Sequence, residues 1–372
     1  MKKATNYTVI GAGNGGKAMA AHLALKGFPV TLYNRTKEKV LAIKQLGGIQ
    51  LESYDGGPHG FGKLRYVTSS LKEAVADADV IMIVVPSCAH RSIGKHIAKH
   101  LHHGQILILH PGRTGGAIEF QKVLLRNGCK AKVTIAEAET FIYASRSEGP
   151  ASARIFRIKN AVPLAALPSS DTARVLHAIS DAYNVYIDGI NVLHTGLNNM
   201  GAIFHPAIAL LNAGRIESTS GDFQFYVDGV TPSIARVLEV LDRERVTVAA
   251  ALGVRARTAL EWLHLAYDVK GNNLYEAIQN QSGYYGIKAP NTLNHRYIFE
   301  DVPMSLVPIA SFAKAYGVSV RGIESIIRLA CLVHCTDYWR RGRTLEKLGI
   351  QSLSVGELTS YVTRGLQEDM AA

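Results

Sequence analysis

The side chains best suited to proton transfer lie in two polar stretches in the second half of the chain. One is His205, in an otherwise apolar helical run, and the other is residues 294–303, which combine an arginine, two acids and several aromatic residues. An imidazole exchanges protons near neutral pH, and a carboxylate beside it can stabilise its protonated form. We therefore predict that His205 and Asp301 form an acid–base pair. Three structural roles compete: a hydrogen-bonded core histidine at His205, a helix N-cap at Asp301 and a surface ion pair at Arg296.

A glycine-rich turn near the N-terminus has the spacing G-x-G-x-x-G and consists of Gly11, Ala12, Gly13, Asn14, Gly15 and Gly16. It directly follows an apolar strand pattern at residues 8–10 and opens a helical pattern over residues 17–26. In such a turn Gly11 allows the tight bend, Gly13 lets the backbone approach a pyrophosphate, and Gly16 lets the helix pack closely on the sheet. The N–H groups at the helix N-terminus attract the phosphates. The turn therefore predicts a dinucleotide-binding site.

The end of the second predicted strand indicates which dinucleotide binds. NAD enzymes usually carry an acid about 20 residues after the first glycine, where it accepts from the ribose 2′-hydroxyl. This chain instead has Asn34, Arg35 and Thr36. Asn34 can bind a hydroxyl or a phosphate, and Arg35 can pair with a 2′-phosphate, unless it is simply a solvated residue at a helix start. We predict NADP(H) rather than NAD(H).

The first half of the chain alternates strand-like and helix-like segments. Uninterrupted apolar runs at residues 80–85 and 105–109 are typical of buried parallel strands. Repeated units of this kind predict an α/β domain with a doubly wound, Rossmann-type parallel sheet. Pro86 follows the first run, at the sheet edge where cofactors bind, and we include it among the cofactor-binding residues. The loop at residues 109–116 ends the second run, and its Arg113 either meets an anion or faces solvent. Two short β-like runs between residues 153 and 168 predict a hairpin that extends the sheet.

The pattern becomes mainly helical after about residue 190. Helical runs include residues 233–252, 257–266, 307–316 and 320–338, and few β-rich runs occur among them. We predict two domains, a Rossmann domain over residues 1–189 and an all-helical domain over residues 190–372.

Composition excludes several classes of protein. The apolar fraction of 47% is too high for a disordered chain, and no apolar run approaches the roughly 18 residues of a membrane span. The net charge of +11 comes from scattered residues, which favours small anionic ligands over nucleic acid. No signal peptide is evident, so we expect a cytoplasmic protein.

Four cysteines are too few for a disulfide framework. Cys331 and Cys335 are spaced as half a metal site, but no matching pair follows, and we interpret them as packed thiols. We therefore predict no metal.

At this point the sequence resembles the opine dehydrogenases, the octopine and nopaline dehydrogenase-like family, and most closely the bacterial amino-acid opine dehydrogenases. The stretches that carry the resemblance are residues 11–16, 84–86, 111–112, 115–116, 138–140, 192–195, 205–206, 211–213, 229–233, 296–302 and 342–349, together with Asn199. Those of the second half are the more specific. The chain departs from NAD-using relatives at Asn34, where they carry an acid.

The resemblance implies a reversible, NADPH-dependent reductive condensation of an α-keto acid such as pyruvate with the amino group of an L-amino acid through an imine. It implies that His205 is the catalytic histidine and that Asp301 is its carboxylate partner. Arg296 then binds a substrate carboxylate, and Asn199 contacts the substrate or the nicotinamide. We also expect a homodimer.

Two other classes of function remain open. One is another two-domain NAD(P)-dependent dehydrogenase, for 2-keto acids, 3-hydroxy acids or glycerol 3-phosphate. Many of these use a lysine as the acid, whereas no lysine occurs between Lys159 and Lys270. The other is a non-catalytic NADP-binding protein, which would bind the dinucleotide without turnover.

Overall fold

The computed structural model describes residues 4–54 and 57–365, and it divides into two units. Of the described residues, the first unit contains those up to Thr195 together with Glu357–Gly365, and the second comprises Gly196–Gly356. The sequence predicted domains of residues 1–189 and 190–372, so the unit boundary falls a few residues later, and the C-terminal helix belongs to the first unit. That helix joins the first unit partly through the Tyr361 hydroxyl, which donates to Gln121 Oε1 at 2.8 Å. The sequence pattern of an amphipathic helix does not reveal which core it joins.

The first unit contains all twelve strands of the described chain. In chain order they are β1 Tyr7–Ile10, β2 Val30–Tyr33, β3 Gly48–Ser53, β4 Gly60–Lys63, β5 Tyr66–Thr68, β6 Val80–Ile83, β7 Ile106–Leu109, β8 Thr134–Ala138, β9 Tyr143–Gly149, β10 Ser152–Ile158, β11 Val162–Leu167 and β12 Tyr186–Asp188.

Eight of these strands form one sheet in the order β12-β11-β8-β7-β6-β1-β2-β5. The six from β8 to β5 are mutually parallel, and β11 runs antiparallel to β8. Every residue of β1, β6 and β7 is buried, as expected for strands with continuous apolar runs inside a parallel sheet. The predicted α/β fold class with a Rossmann-type parallel sheet is confirmed.

The predicted hairpin over residues 153–168 is wrong. β10 pairs with β9 and β3 in a separate four-stranded sheet, whereas β11 joins the large sheet beside β8. The burial patterns give the reason. β10 buries Ala153 and Ile155 but exposes Phe156, whereas β11 is buried along almost its whole length. A strand with one solvated face and a strand buried on both faces belong in different sheets.

The helices of the first unit alternate with these strands. They are α1 Asn14–Leu25, α2 Lys37–Leu46, α3 Leu71–Ala76, α4 His90–Ile97, α5 Gly116–Arg126 and α6 Thr172–Ile179, followed by α7 Val192–Leu197 at its end.

The second unit is helical, as predicted. Its helices are α8 Gly201–Leu211, α9 Ala213–Thr219, α10 Pro232–Ala251, α11 Ala259–Tyr267, α12 Leu274–Gln279, α13 Arg296–Phe299, α14 Val307–Ala315, α15 Arg321–Val333, α16 Tyr338–Arg341 and α17 Leu345–Leu348. The C-terminal helix of the first unit is α18 Val355–Arg364, whose first two residues still belong to the second unit. The Thr231 side chain caps α10 by accepting from the Ile234 amide, and Pro232 occupies its first turn, where no amide donor is needed.

A buried ion pair fixes the long helix α10 within this unit. The guanidinium of Arg245, which is fully buried, contacts Asp242 Oδ1 at 2.7 Å and the Leu197 carbonyl at 2.5 Å. Asp242 Oδ2 accepts from the Ala259 amide at 2.7 Å, at the start of α11. Because each buried charge has hydrogen-bonding partners, this pair is structural.

A π-helix at Val302–Leu306 leads directly into α14. Pro303 and Pro308 lie within and just after it, and neither can donate an amide to the helical ladder. Wide turns of this kind occur often at functional sites. Within residues 4–54 and 57–365, no helix combines the length and the apolar character that crossing a bilayer requires.

Candidate active site and nucleotide-binding turn

The second unit brings His205 and Asp301 into direct contact, although they are far apart in sequence. His205 lies on α8, and Asp301 immediately precedes the π-helix. His205 Nδ1 lies 2.8 Å from Asp301 Oδ2, with the imidazole 19% exposed and the carboxylate fully buried. Asp301 stands at the N-cap position but its side chain makes no capping bond. The N-cap alternative is thereby excluded, and the two side chains can act together.

The geometry of this contact determines which ring nitrogen is available for chemistry. An ionised carboxylate only accepts hydrogen bonds, so in the neutral imidazole Nδ1 carries the proton and donates it to Asp301. Nε2 then keeps its lone pair. The pair is therefore arranged as a base whose conjugate acid is stabilised by a buried carboxylate.

Arg296 forms the ion pair that the sequence left as an alternative, but its partner is fully buried. Arg296 Nε lies 3.0 Å from Glu300 Oε2 across one turn, and the arginine side chain stays 45% exposed while Glu300 is not exposed at all. The ion pair anchors one side of the guanidinium. The arginine side chain stays partly accessible, and a guanidinium is suited to binding a carboxylate in a two-pronged contact.

Asn199 is attached to the π-helix that Asp301 precedes. Its Nδ2 donates to Ser305 Oγ at 2.8 Å, and both side chains are buried. The structure therefore gives Asn199 a bond that connects the start of α8 to the π-helix. The sequence does not predict this partner, because Ser305 is separated from Asn199 by most of the unit.

Tyr297 is a neighbour of the pair to which the sequence assigned no role. Its ring stacks on the His205 imidazole with centroids 4.2 Å apart and planes inclined by 21°. Phe225 packs on the Tyr297 ring at 4.8 Å. Burial raises the pKa of the nearby Tyr226 phenol well above its usual value, and the charge of Asp301 adds to that effect.

The glycine-rich turn lies in the first unit, between β1 and α1. Helix α1 begins at Asn14, earlier than the predicted residue 17, with Gly13 as its N-cap. Gly11 has φ of 118°, and a Cβ there would lie 2.2 Å from the Val84 carbonyl oxygen. A Cβ on Gly16 would lie 1.7 Å from the Gly11 carbonyl oxygen, so the helix start packs on the turn itself rather than on the sheet.

The surroundings of Gly13 leave room for a ligand. Apart from the adjacent residues of the turn, no residue that the structure describes lies within 4 Å of the position that its Cβ would occupy, and the amides of the first turn of α1 begin there. A helix N-terminus beside open space is suited to a phosphate. This turn thus fits the pyrophosphate of a dinucleotide.

We expect Gly16→Ala to destabilise the protein and Gly13→Ala to leave its stability unchanged, because only Gly16 is closely packed against the turn. Gly16→Ala forces the turn and helix apart at a cost of about 1–3 kcal/mol, so we expect a melting temperature lower by roughly 2 °C or more and weaker dinucleotide binding. Gly13→Ala should leave the melting temperature unchanged. Thermal unfolding and calorimetric titration with NADPH measure both effects. Equal melting temperatures for Gly16→Ala and the unmodified protein would contradict the packing argument.

The residues predicted to select the cofactor lie at the end of β2. Asn34 Oδ1 accepts from the Ala12 amide at 3.2 Å, and its Nδ2 donates to the Thr36 carbonyl at 3.2 Å. Asn34 therefore connects β2 to the glycine-rich turn. Arg35 and Thr36 are exposed, and so is Pro86 beyond the end of β6. Arg35 is thus an exposed cation at the end of β2.

Two side chains of the first turn of α1, those of Asn14 and Lys17, form hydrogen bonds to the second sheet that the sequence did not reveal. Asn14 Oδ1 accepts from the Ser147 amide at 3.0 Å, and Lys17 Nζ donates to Ser147 Oγ at 2.9 Å and to the Gly149 carbonyl at 2.7 Å. Burial lowers the pKa of the Lys17 ammonium, and Lys39 lowers it further. The hairpin of β9 and β10 thus holds the turn, a contact that depends on the second sheet.

A polar cluster follows the carboxyl ends of β7 and β8. Lys159 Nζ donates to Thr140 Oγ1 at 2.7 Å. Burial lowers the pKa of Lys159 to about 8, an effect opposed by Glu139 and reinforced by Arg113. Arg113 is itself buried, at 8% exposure, so it does not face solvent as one alternative held.

A parallel sheet with a dinucleotide-type turn, followed by a helical unit that holds a histidine–carboxylate pair, defines a two-domain NAD(P)-dependent oxidoreductase. Comparison with known proteins specifies the family. The family model of the NAD/NADP octopine/nopaline dehydrogenase alpha-helical domain matches residues 189–334, and that of the NAD binding domain of 6-phosphogluconate dehydrogenase matches residues 6–122. Opine dehydrogenase of Arthrobacter sp. (strain 1C) is 40% identical over 97% of this chain and 100% of that protein. The chain belongs to the opine dehydrogenase family, NAD(P)-dependent oxidoreductases that act on CH–NH bonds.

More distant similarities point to the same family and fold. Vitopine synthase of Allorhizobium ampelinum is 28% identical over 75% of this chain and 77% of that protein. The solved structure of octopine dehydrogenase with NADH and agmatine matches with a TM-score of 0.80 over 98% of this chain and 99% of that one, at 19% identity. At that identity the structural match shows the fold.

Proposed function

We propose that the protein condenses an α-keto acid with the amino group of an L-amino acid and reduces the resulting imine with NADPH. Pyruvate is the keto acid that we propose as the substrate. The observation that carries this proposal is the His205–Asp301 contact, with the half-exposed Arg296 a few residues away on the same segment. Both substrates bear carboxylates, which suits a cationic anchor. Structures of octopine dehydrogenase hold NADH together with arginine or pyruvate, which makes these substrate classes the first to test.

In this proposal His205 moves the protons. Nε2 of the neutral imidazole accepts a proton from the incoming ammonium, so that the free amine can attack the keto carbon. The imidazolium then returns a proton to the hydroxyl of the carbinolamine, which leaves as water and gives the protonated imine, the form that accepts hydride. Asp301 keeps the ring in the tautomer that this sequence needs and stabilises the imidazolium between the two transfers.

Arg296 and Asn199 have supporting roles. Arg296 binds a substrate carboxylate through its partly exposed guanidinium, and thereby sets the position of the reacting carbon. Asn199 holds the π-helix through Ser305, and we propose that it contacts the substrate or the nicotinamide from there.

The first unit holds the cofactor in this proposal. The turn Gly11–Gly16 and the first amides of α1 would bind the pyrophosphate, with Asn34, Arg35 and Thr36 at the adenosine ribose and Pro86 further along the sheet edge. When bound, NADPH supplies the hydride for the imine carbon.

The test is an assay of NADPH oxidation over a grid of keto acids and L-amino acids. We expect oxidation only when both substrates are present, with an N-(1-carboxyalkyl) amino acid identified as the product by mass spectrometry. Oxidation with a keto acid alone would favour the competing class of 2-keto acid reductases. Tight NADPH binding without turnover in the whole grid would favour a non-catalytic binding protein.

The preference for NADPH is a separate proposal, supported by the exposed Arg35 and by the absence of an acid at Asn34. Relatives differ here, since yersinopine dehydrogenase has been solved with NADP⁺ and octopine dehydrogenase with NADH. The sequence departure at Asn34 therefore needs its own test.

We expect Asn34→Asp to lower the ratio of kcat/KM for NADPH over NADH by roughly ten- to a hundredfold. Like charges a few ångström apart at a partly exposed site repel by about 1–4 kcal/mol, and the new carboxylate also accepts from a ribose 2′-hydroxyl. The carboxylate can still accept from the Ala12 amide, so the turn should be retained. Asn34→Ser is the matched control without charge and should move the ratio much less. An unchanged ratio in Asn34→Asp would assign cofactor preference to other residues.

A further inference from the structure

We infer that Tyr297 is a positioning residue for the proposed reaction: its ring fixes the plane of the His205 imidazole and so directs Nε2. The inference rests on the proposed role of His205 and adds a residue that this role does not itself name. Its basis is the stacking of the two rings, with centroids 4.2 Å apart and planes inclined by 21°.

One hydrogen bond does not orient an imidazole. The contact from His205 Nδ1 to Asp301 Oδ2 fixes one atom of the ring at 2.8 Å. The ring can still tilt about the line through that bond, which changes the direction in which the Nε2 lone pair points. A second constraint on the plane of the ring is needed, because misplacement by about 1 Å can cost a hundredfold in rate.

Tyr297 supplies that second constraint. A nearly parallel ring at van der Waals distance allows the imidazole to slide but not to tilt. The Asp301 contact in turn prevents sliding along the direction of Nδ1. The hydrogen bond and the stack therefore restrict different motions, and only together do they set the direction of Nε2.

Tyr297 is itself held from other sides. Phe225, which is fully buried, packs on it with centroids 4.8 Å apart at 34°, and His295 meets it edge-on at 4.4 Å. Phe225 is fixed through its amide, which donates to the Ile287 carbonyl at 2.7 Å. The plane that Tyr297 offers to His205 is thus determined by the surrounding segments rather than by the short helix α13 alone.

The stack also suits the protonated state. An imidazolium next to an aromatic face is stabilised by the negative charge density of that face. His205 carries this charge between its two proton transfers in the proposed reaction. Tyr297 therefore holds the ring in one orientation through both protonation states.

The test compares Tyr297→Leu with Tyr297→Phe. Removing the aromatic plane in Tyr297→Leu should lower kcat by roughly 10- to 100-fold, while the KM of each substrate stays nearly unchanged. Tyr297→Phe keeps the plane and should restore kcat. Phe299→Leu removes a half-exposed ring from the same helix and serves as the matched control, with kcat expected to be unchanged. Circular dichroism and thermal unfolding verify that each variant is folded.

A second measurement needs no turnover. The ring current of Tyr297 should shift the His205 Hε1 resonance to high field in the NADPH-free protein, and the shift should be lost in Tyr297→Leu and kept in Tyr297→Phe. Full activity in Tyr297→Leu, or a loss confined to KM, would overturn the inference. So would a Tyr297→Phe variant as slow as Tyr297→Leu, because the hydroxyl rather than the plane would then matter. If the unmodified protein turns over no substrate pair, the proposed function fails, whereas the resonance shift still tests the stack of Tyr297 on His205 from which the inference is drawn.

Discussion

We expect replacement of His205 by asparagine to lower kcat for the condensation by roughly 10²- to 10⁴-fold, the usual contribution of a positioned general acid–base. Asparagine retains a donor for the buried Asp301 carboxylate, so the variant avoids leaving that charge without a hydrogen bond at the site of the lost ring. NADPH affinity should be nearly unchanged, because the glycine-rich turn belongs to the first unit and His205 to the second.

Steady-state kinetics and calorimetric titration with NADPH separate these two effects. His264→Asn is the matched control, since His264 is exposed and lies on α11 of the same unit. It should retain full activity. If His205→Asn loses NADPH binding as strongly as it loses activity, His205 acts through cofactor binding or folding rather than through proton transfer.

The sequence predicts those parts of the fold whose pattern is local. Short uninterrupted apolar runs such as β6 and β7 are typical of buried strands, and the structure shows strands there. The glycine spacing between β1 and α1 predicts a tight turn, which the structure also shows. The four-stranded second sheet was not predicted. Its strands β3 and β10 pair across most of the first unit, and alternating burial alone does not identify a partner strand.

In the candidate site, too, the sequence indicates the residue types, whereas the contacts between them depend on the tertiary structure. The residue types at His205 and Asp301 indicate an acid–base pair, but their separation of 96 positions leaves the contact itself to the tertiary structure. The buried partner of Arg296 and the stack on Tyr297 depend on the rotation of α13 and on the π-helix that follows it. A π-helix has no reliable sequence signature, because the prolines that accompany it here are equally compatible with an ordinary helix start.

Asp301→Asn tests the proposed roles of the pair, in which His205 transfers protons and Asp301 sets the tautomer of the imidazole. An asparagine at this position has nearly the same shape, but its amide can donate to Nδ1 and so favours the tautomer with the proton on Nε2. That tautomer cannot accept a proton from the substrate ammonium. We expect kcat to fall by roughly 10²- to 10⁴-fold, as for the wrong-tautomer substitution of a buried aspartate in a catalytic triad. Asp222→Asn, at a side chain that is 79% exposed, is the matched control for the charge change and should be fully active.

Combining the two substitutions distinguishes orientation from an independent electrostatic effect. If Asp301 acts only through His205, then Asp301→Asn should lower kcat little further in a protein that already carries His205→Asn. The two losses of activation free energy should then be far from additive. Additive losses would mean that the buried carboxylate stabilises the reaction by itself. Because Asp301 contacts the ring at Nδ1, on the side away from the atom that transfers protons in the proposed reaction, the non-additive result is the one we expect.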